Sequence, residues 1–366
     1  MADLSRPTDE LRPPWEPLLR WMERTRWGWF AGLALLYAAG ANGRWRATAD
    51  GSLYLLEARQ WAGELPGAGG IPGAGAFARQ QPGLTVLSWL AGGSAEGWLP
   101  AAIMLGFAAV VLVLTYLVFR RLALPGGRGV ATLAVVLVGS NRLFYEASFG
   151  WLTELPFTAG LMLTVWGHER WTAGGRRSVP GAGVWLGVVA VVAGLGVMAA
   201  FRSVAAVVLA AYLAAQVPRF LRAGCRVGLA WLSLAVAGGM ALWFGSSAVR
   251  DDAGILWRRL TGLSAAEYGE NAGRLMLEVW PEALFGLDVP PPLHVAGAAV
   301  CVVAVVGVWW WRRWWGVLVT LFALQWVVFL SEPRYVLPLV PLWVMGWWRA
   351  VTGLVARWRE PWRGWA

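Results

Sequence analysis

The feature that most restricts this chain is its succession of apolar runs, many of them close to the roughly 20 residues a helix needs to cross a hydrocarbon core of about 30 Å. Ten segments read as spans: 27–41, 99–122, 129–145, 152–171, 181–200, 203–217, 227–248, 295–311, 314–330 and 335–354. Backbone groups inside lipid must be satisfied within the segment, so runs of this kind are helices, not strands of an open sheet. Composition agrees. Of 366 residues, 58% are hydrophobic and 14% charged, against about 25% charged in a soluble domain. The predicted fold class is therefore all-α, a polytopic transmembrane helical bundle of about ten helices. Residues 1–26 form a cytoplasmic N-terminal tail, 27–354 the membrane domain with outer loops 42–82 and 250–294, and 355–366 a cytoplasmic C-terminal tail. The polar start lacks a small-residue cleavage signal and reads as the flank of an uncleaved first helix.

The basic side chains number 31 against 21 acids, a formal charge of +10, and all of them are arginine. They are scattered between apolar runs, so they read as membrane-topology charge and not as a nucleic-acid surface. With the N-terminus inside, Arg24, Arg120, Arg121, Arg176, Arg222, Arg312 and Arg359 all fall on the cytoplasmic side, whereas Glu96, Glu146, Glu154, Glu270 and Glu332 fall outside. Both termini are then cytoplasmic, as expected of a multi-pass protein of a bacterial cytoplasmic membrane. Cys225 and Cys301 make no disulfide framework, and His168 and His294 are too few for a histidine-built metal site. The glycine-rich stretch 66–75 lacks the Gly-Lys-Ser/Thr of a phosphate loop and reads as a linker. The Trp clusters at 309–311, 314–315 and 347–348 read as an aromatic belt at the inner interface.

Chemistry is expected in the first outer loop. After Asp50, residues 51–65 carry helical periodicity, with Tyr54, Leu55, Ala58, Trp61, Ala62 and Leu65 on one face and Glu57, Gln60 and Glu64 on a polar flank. Such an amphipathic helix can lie flat in the membrane interface, which would hold Asp50 just above the outer surface. Asp50 also reads as the N-cap of that helix, and the two roles are compatible. Asp251–Asp252, in the later outer loop, reads as a solvated acid pair.

The run Asp50-Gly-Ser-Leu-Tyr54, then Ala58-Arg59, then Arg79-Gln-Gln-Pro-Gly83 resembles the first-loop pattern of GT-C membrane glycosyltransferases, the protein O-mannosyltransferase-like and aminoarabinose-transferase-like enzymes. Three further stretches resemble that family in the same order. They are Tyr145 to Phe157, with its Glu154-Leu-Pro-Phe157 helix start, then Ala200-Phe-Arg202, then Arg334-Tyr335-Val-Leu-Pro338. Two departures stand out: Asp50-Gly51 replaces the acidic pair of many relatives, and no large C-terminal soluble domain follows.

The resemblance implies transfer of a sugar from a polyprenyl-phosphate donor to an acceptor hydroxyl on a glycan, lipid or protein at the outer face, with inversion. It assigns Asp50 as general base and Glu154 as a second catalytic carboxylate. Arg79, Arg202, Arg334 and Tyr335 would bind the donor phosphate, since guanidinium pairs bidentately with phosphate oxygens. A divalent metal ion, Mg or Mn, is a further expectation, with its ligands unassigned. Membrane lipids are the surroundings and nucleic acid is not a partner. Each residue also has a plainer reading: Glu154 as an acid favoured in a helix's first turn, the arginines as side chains reaching to headgroups. Two other classes compete. A transporter or flippase predicts ionisable groups near mid-helix, where this chain has almost none. A non-catalytic scaffold would tolerate loss of Asp50.

Overall fold

The structure, a computed structural model, describes residues 15–41, 49–64, 82–92, 98–122, 127–150, 152–174, 182–202, 204–212, 247–328 and 332–359. Every extended element among them is helical. In chain order the helices are α1 (Glu16–Arg24), α2 (Arg26–Gly40), α3 (Ala49–Trp61), α4 (Pro82–Leu90), α5 (Trp98–Arg121), α6 (Gly127–Gly139), α7 (Arg142–Ser148), α8 (Glu154–Gly174) and α9 (Ala182–Phe201). There follow α10 (205–212), α11 (Ser247–Gly262), α12 (Ala265–Arg274), α13 (Trp280–Phe285), α14 (His294–Trp311), α15 (Arg313–Val328), α16 (Pro333–Val336) and α17 (Val340–Arg359).

These are more helices, and shorter ones, than the ten spans read from the sequence. Among the described residues three are long and apolar enough to cross a membrane: Trp98–Arg121, Ala182–Phe201 and Pro291–Trp310. A fourth is formed if α6 and α7, bent by 67° at their junction, count as one broken span. The sides of these long helices carry apolar groups that no other part of the described chain covers, among them Val110 and Val113 on α5, Val189 and Val192 on α9, and Val302 and Val306 on α14. Surfaces of that kind suit lipid and not water. The span expected at 227–248 lies, apart from its last two residues, outside the described residues, and that at 203–217 is described as far as 212.

Three expectations change shape. The run 129–145 is broken at Asn141, whose side-chain oxygen accepts from the Phe144 N–H as the N-cap of α7 while its amide donates to the Ala283 carbonyl at 2.8 Å. The later outer loop is helical through α11, α12, a π-helical turn Leu275–Val279 and α13, and a reciprocal capping box between Ser264 and Glu267 starts α12. Asp251–Asp252 therefore lie on a helix. The segment 335–354 begins as the short α16, passes through a 3-10 turn at Leu337–Leu339, and only then becomes α17; Pro338 and Pro341 each remove a backbone donor there.

The N-terminal tail is partly built as well. The amphipathic α1 buries Leu19 and Met22, and it crosses α6 so closely that a Cβ on Gly129 would collide with the Leu19 carbonyl. At the centre lies α8, whose first turns are buried on every side, with Leu155, Phe157, Leu161 and Met162 fully enclosed. Of the tryptophans read as a belt, Trp315 and Trp348 are buried in the protein, 0% and 6% exposed, whereas Trp310 stands 57% exposed.

Candidate functional site

The packing of α8 on α9 sets the site. The two helices run antiparallel, and small residues let their backbones nearly touch. A Cβ on Gly160 would come within 2.8 Å of the Gly194 carbonyl, and one on Gly167 within 2.6 Å of the Gly187 carbonyl. The same register, carried to the N-terminal end of α8, sets its first residue opposite the residue that follows α9. These are Glu154 and Arg202. Arg202 Nη1 donates to Glu154 Oε1 at 3.1 Å, and the two side chains are 17% and 2% exposed. The carboxylate is also favoured by its place in the first turn, beside the positive end of the helix dipole. Its second oxygen, Oε2, is buried and has no hydrogen-bond partner among the described residues.

The start of α16 closes over this pair. The Arg202 guanidinium lies 5.0 Å from the centre of the Tyr335 ring and 5.9 Å from that of Trp326, within cation–π range. Those two rings stack on one another, 5.1 Å apart and 9° from parallel. Arg334 donates from Nη2 to the Tyr335 hydroxyl at 3.1 Å, and its Nε forms an ion pair with Glu332 at 2.7 Å. The charge of Glu154 also acts on the Arg334 guanidinium. Of the sequence-derived candidates, Glu154, Arg202, Arg334 and Tyr335 thus form one cluster.

The first-loop hairpin abuts the same place. Gly83, at the start of α4, sits where a Cβ would meet the Ala200 carbonyl at 2.5 Å. Helix α3 packs along α4, burying Tyr54 and Ala58. The Thr85 hydroxyl donates to Glu57 Oε2 at 2.6 Å, and burial raises the Glu57 carboxyl above its ordinary value, with the Thr85 hydrogen bond partly offsetting the rise. Glu57 is thus not on a freely solvated flank. Asp50 lies on α3, next to its first described residue; its side chain, on which both the base and the cap readings depend, lies outside the described residues, as does the whole of Arg79.

Sequence reading missed Trp326 and Glu332 as members of the cluster, and it missed a second one entirely. At the far end of α8, Glu169 is 5% exposed and takes two hydrogen bonds from Arg312, at 3.1 and 3.0 Å. Arg121 donates to the Glu169 carbonyl, and His168 Nδ1 lies 3.2 Å from the Tyr212 hydroxyl. A glutamate close to the end of an apolar run was the available signal.

No group of three or more His, Cys, Asp or Glu side chains suited to a metal is found among the described residues. At this cluster the one buried carboxylate is paired with the Arg202 guanidinium and the side chain of Asp50 lies outside the described residues, so no ligand set for a divalent cation is assigned there. No family model, curated protein or solved structure matches this chain.

Proposed function

We propose that this protein is a membrane glycosyltransferase that moves a sugar from a polyprenyl-phosphate donor to an acceptor hydroxyl, working at the membrane end where Glu154 and Arg202 meet. The observation that carries the reading is convergence. Four stretches far apart in sequence, each chosen for its resemblance to GT-C enzymes, pack in series: α3 on α4, α4 on the end of α9, Arg202 on Glu154, and Tyr335 over Arg202. A scaffold has no need to gather two arginines, a buried carboxylate and a stacked aromatic pair in one corner.

In this reading a lipid donor arrives by lateral diffusion, with its phosphate at interface depth beside Arg334. Asp50 takes the proton of the acceptor hydroxyl as that oxygen attacks the anomeric carbon. The bond from that carbon to the phosphate oxygen breaks, the new glycosidic bond forms on the opposite face, and the electron pair leaves with the lipid phosphate. Arg202 and Arg334 stabilise the charge that develops there. Glu154 orients Arg202 through its Oε1. No step is assigned to a metal ion.

The test is transfer from undecaprenyl-phosphate mannose, glucose and arabinose by full-length protein in proteoliposomes, with Asp50→Asn as the comparison. Loss of a general base lowers the rate by about 10²–10⁴-fold. The expected result is transfer by the wild type and loss of that order in the folded variant. Undiminished transfer by Asp50→Asn would keep the class and move the base elsewhere, with Glu154 next. Absence of transfer with every donor would sink the enzyme reading and favour a scaffold.

A further inference from the structure

Glu154 carries a buried acceptor for which the described residues supply no partner. Glu154 Oε1 is taken by Arg202, while Oε2, withdrawn from water, meets no donor among the described residues. A buried carboxylate oxygen left unmet is costly, and such an atom in a native protein calls for an explanation. Four features around it limit what the missing donor is. The charge of Glu154 is already opposed by Arg202, so a further cation is not required. The stacked Trp326 and Tyr335 rings make an apolar wall beside the pair. Arg334 is 27% exposed and is held by Glu332, itself 60% exposed, an ion pair that an incoming anion displaces at little cost. Glu154 itself cannot move away, because it is the first residue of a helix enclosed on all sides.

We infer that Glu154 Oε2 is the docking point for a hydroxyl of the donor's sugar, so that this carboxylate selects a glycosylated lipid phosphate over the bare lipid phosphate. A neutral polyol offers hydroxyl donors at its rim and apolar C–H groups on its ring face, which suits a carboxylate oxygen beside an aromatic wall. The phosphate that follows it goes to Arg334. This deepens the proposed function and rests on it: Arg334 reads the phosphate, and Glu154 reads the sugar.

Glu154→Gln is a clean probe. The amide oxygen replaces Oε1 and still accepts from Arg202, while the NH2 group stands where Oε2 was and turns an acceptor into a donor. The experiment measures binding to full-length protein in nanodiscs by competition against a fluorescent undecaprenyl phosphate. The probes are undecaprenyl phosphate, its mannose, glucose and galactose conjugates, and the monodeoxy forms of the tightest conjugate.

For the wild type the conjugate should bind more tightly than the bare lipid, with one deoxy position losing about tenfold, the scale of a hydrogen bond to a charged group. In Glu154→Gln both the sugar preference and that deoxy penalty should disappear while the bare lipid still binds. A wild type that prefers the conjugate yet tolerates every deoxygenation would overturn the inference and leave the transferase reading intact, as would a penalty unchanged in Glu154→Gln. A wild type that binds conjugate and bare lipid alike, and no better than a neutral lipid, would remove the donor reading and this inference with it. The deoxy series uses the wild type, so it decides the question even if the variant does not fold.

Discussion

A carboxyl group half-withdrawn from water keeps its proton to higher pH than a free one, and Glu57 is in that position. Burial raises it above the ordinary value of 4.5, with the Thr85 hydroxyl pulling the other way. The folded chain therefore binds this proton more tightly than the unfolded chain. The group's contribution to stability is fully present below 4.5 and is lost as pH rises from there through the raised folded value. Glu57→Gln mimics the protonated form and still accepts from Thr85. Thermal unfolding followed against pH should show wild type and variant converging in acid, with the wild type falling behind as pH rises through that window. Parallel curves would show that Glu57 does not carry a raised value. The sequence placed Glu57 on a helix and next to the buried face of Tyr54 and Ala58, but its partner stands on another element, and helical periodicity says nothing about neighbours. The same holds at the main cluster. Glu154, Arg202, Arg334 and Tyr335 were legible because each lies at the boundary of an apolar run within a stretch that resembles the GT-C pattern; Trp326, inside an apolar run, looked like any other core residue.

Apolar runs announce helices without saying which of them touch, and the pairing of α8 with α9 is decided by glycine. Gly160 and Gly167 on one helix meet Gly187 and Gly194 on the other, as small residues permit wherever helices pack in lipid. Gly194→Ala should then destabilise the protein by about 1–3 kcal/mol through overpacking, because its Cβ would run into Thr164 and the Gly160 carbonyl. Gly196→Ala, on the same helix with open space around it, should be neutral or gain up to about 1 kcal/mol from helix propensity. Thermal unfolding of the two variants side by side in one detergent checks this, and equal effects would mean that the helices do not meet in this register. Which of the chain's many glycines make this contact was not legible in the sequence, because a glycine by itself names no partner. The break at Asn141 was hidden for a related reason: the apolar pattern runs through it, and the bond that holds it reaches Ala283 on a distant helix.

Arginine bias sets the expected orientation of the whole chain, with the Glu154 end outside and the Glu169 end inside. In a background with Cys225 and Cys301 replaced, a cysteine at Glu270 should react with a membrane-impermeant maleimide on intact spheroplasts. One at Arg120 should react only after permeabilisation. Labelling of both from the same side would overturn the topology. All-helical character was readable from composition because lipid leaves the backbone few other choices; the number of complete spans was not, since several helices stop short at Asn141, at Pro338 or at the ends of the outer segments. One consequence follows from the two ion pairs at the ends of α8. Roughly 22 Å of helix, at about 1.5 Å per residue, is bolted at one end to Arg202 and at the other to Arg312. It behaves as a strut, unable to slide along its axis without shearing both bolts. On the proposed donor reading, room for a bulky lipid comes from the lighter pieces around it, α16 and the α3–α4 pair that packs on the end of α9, so adaptation to a different cargo falls to those panels while the strut stays fixed.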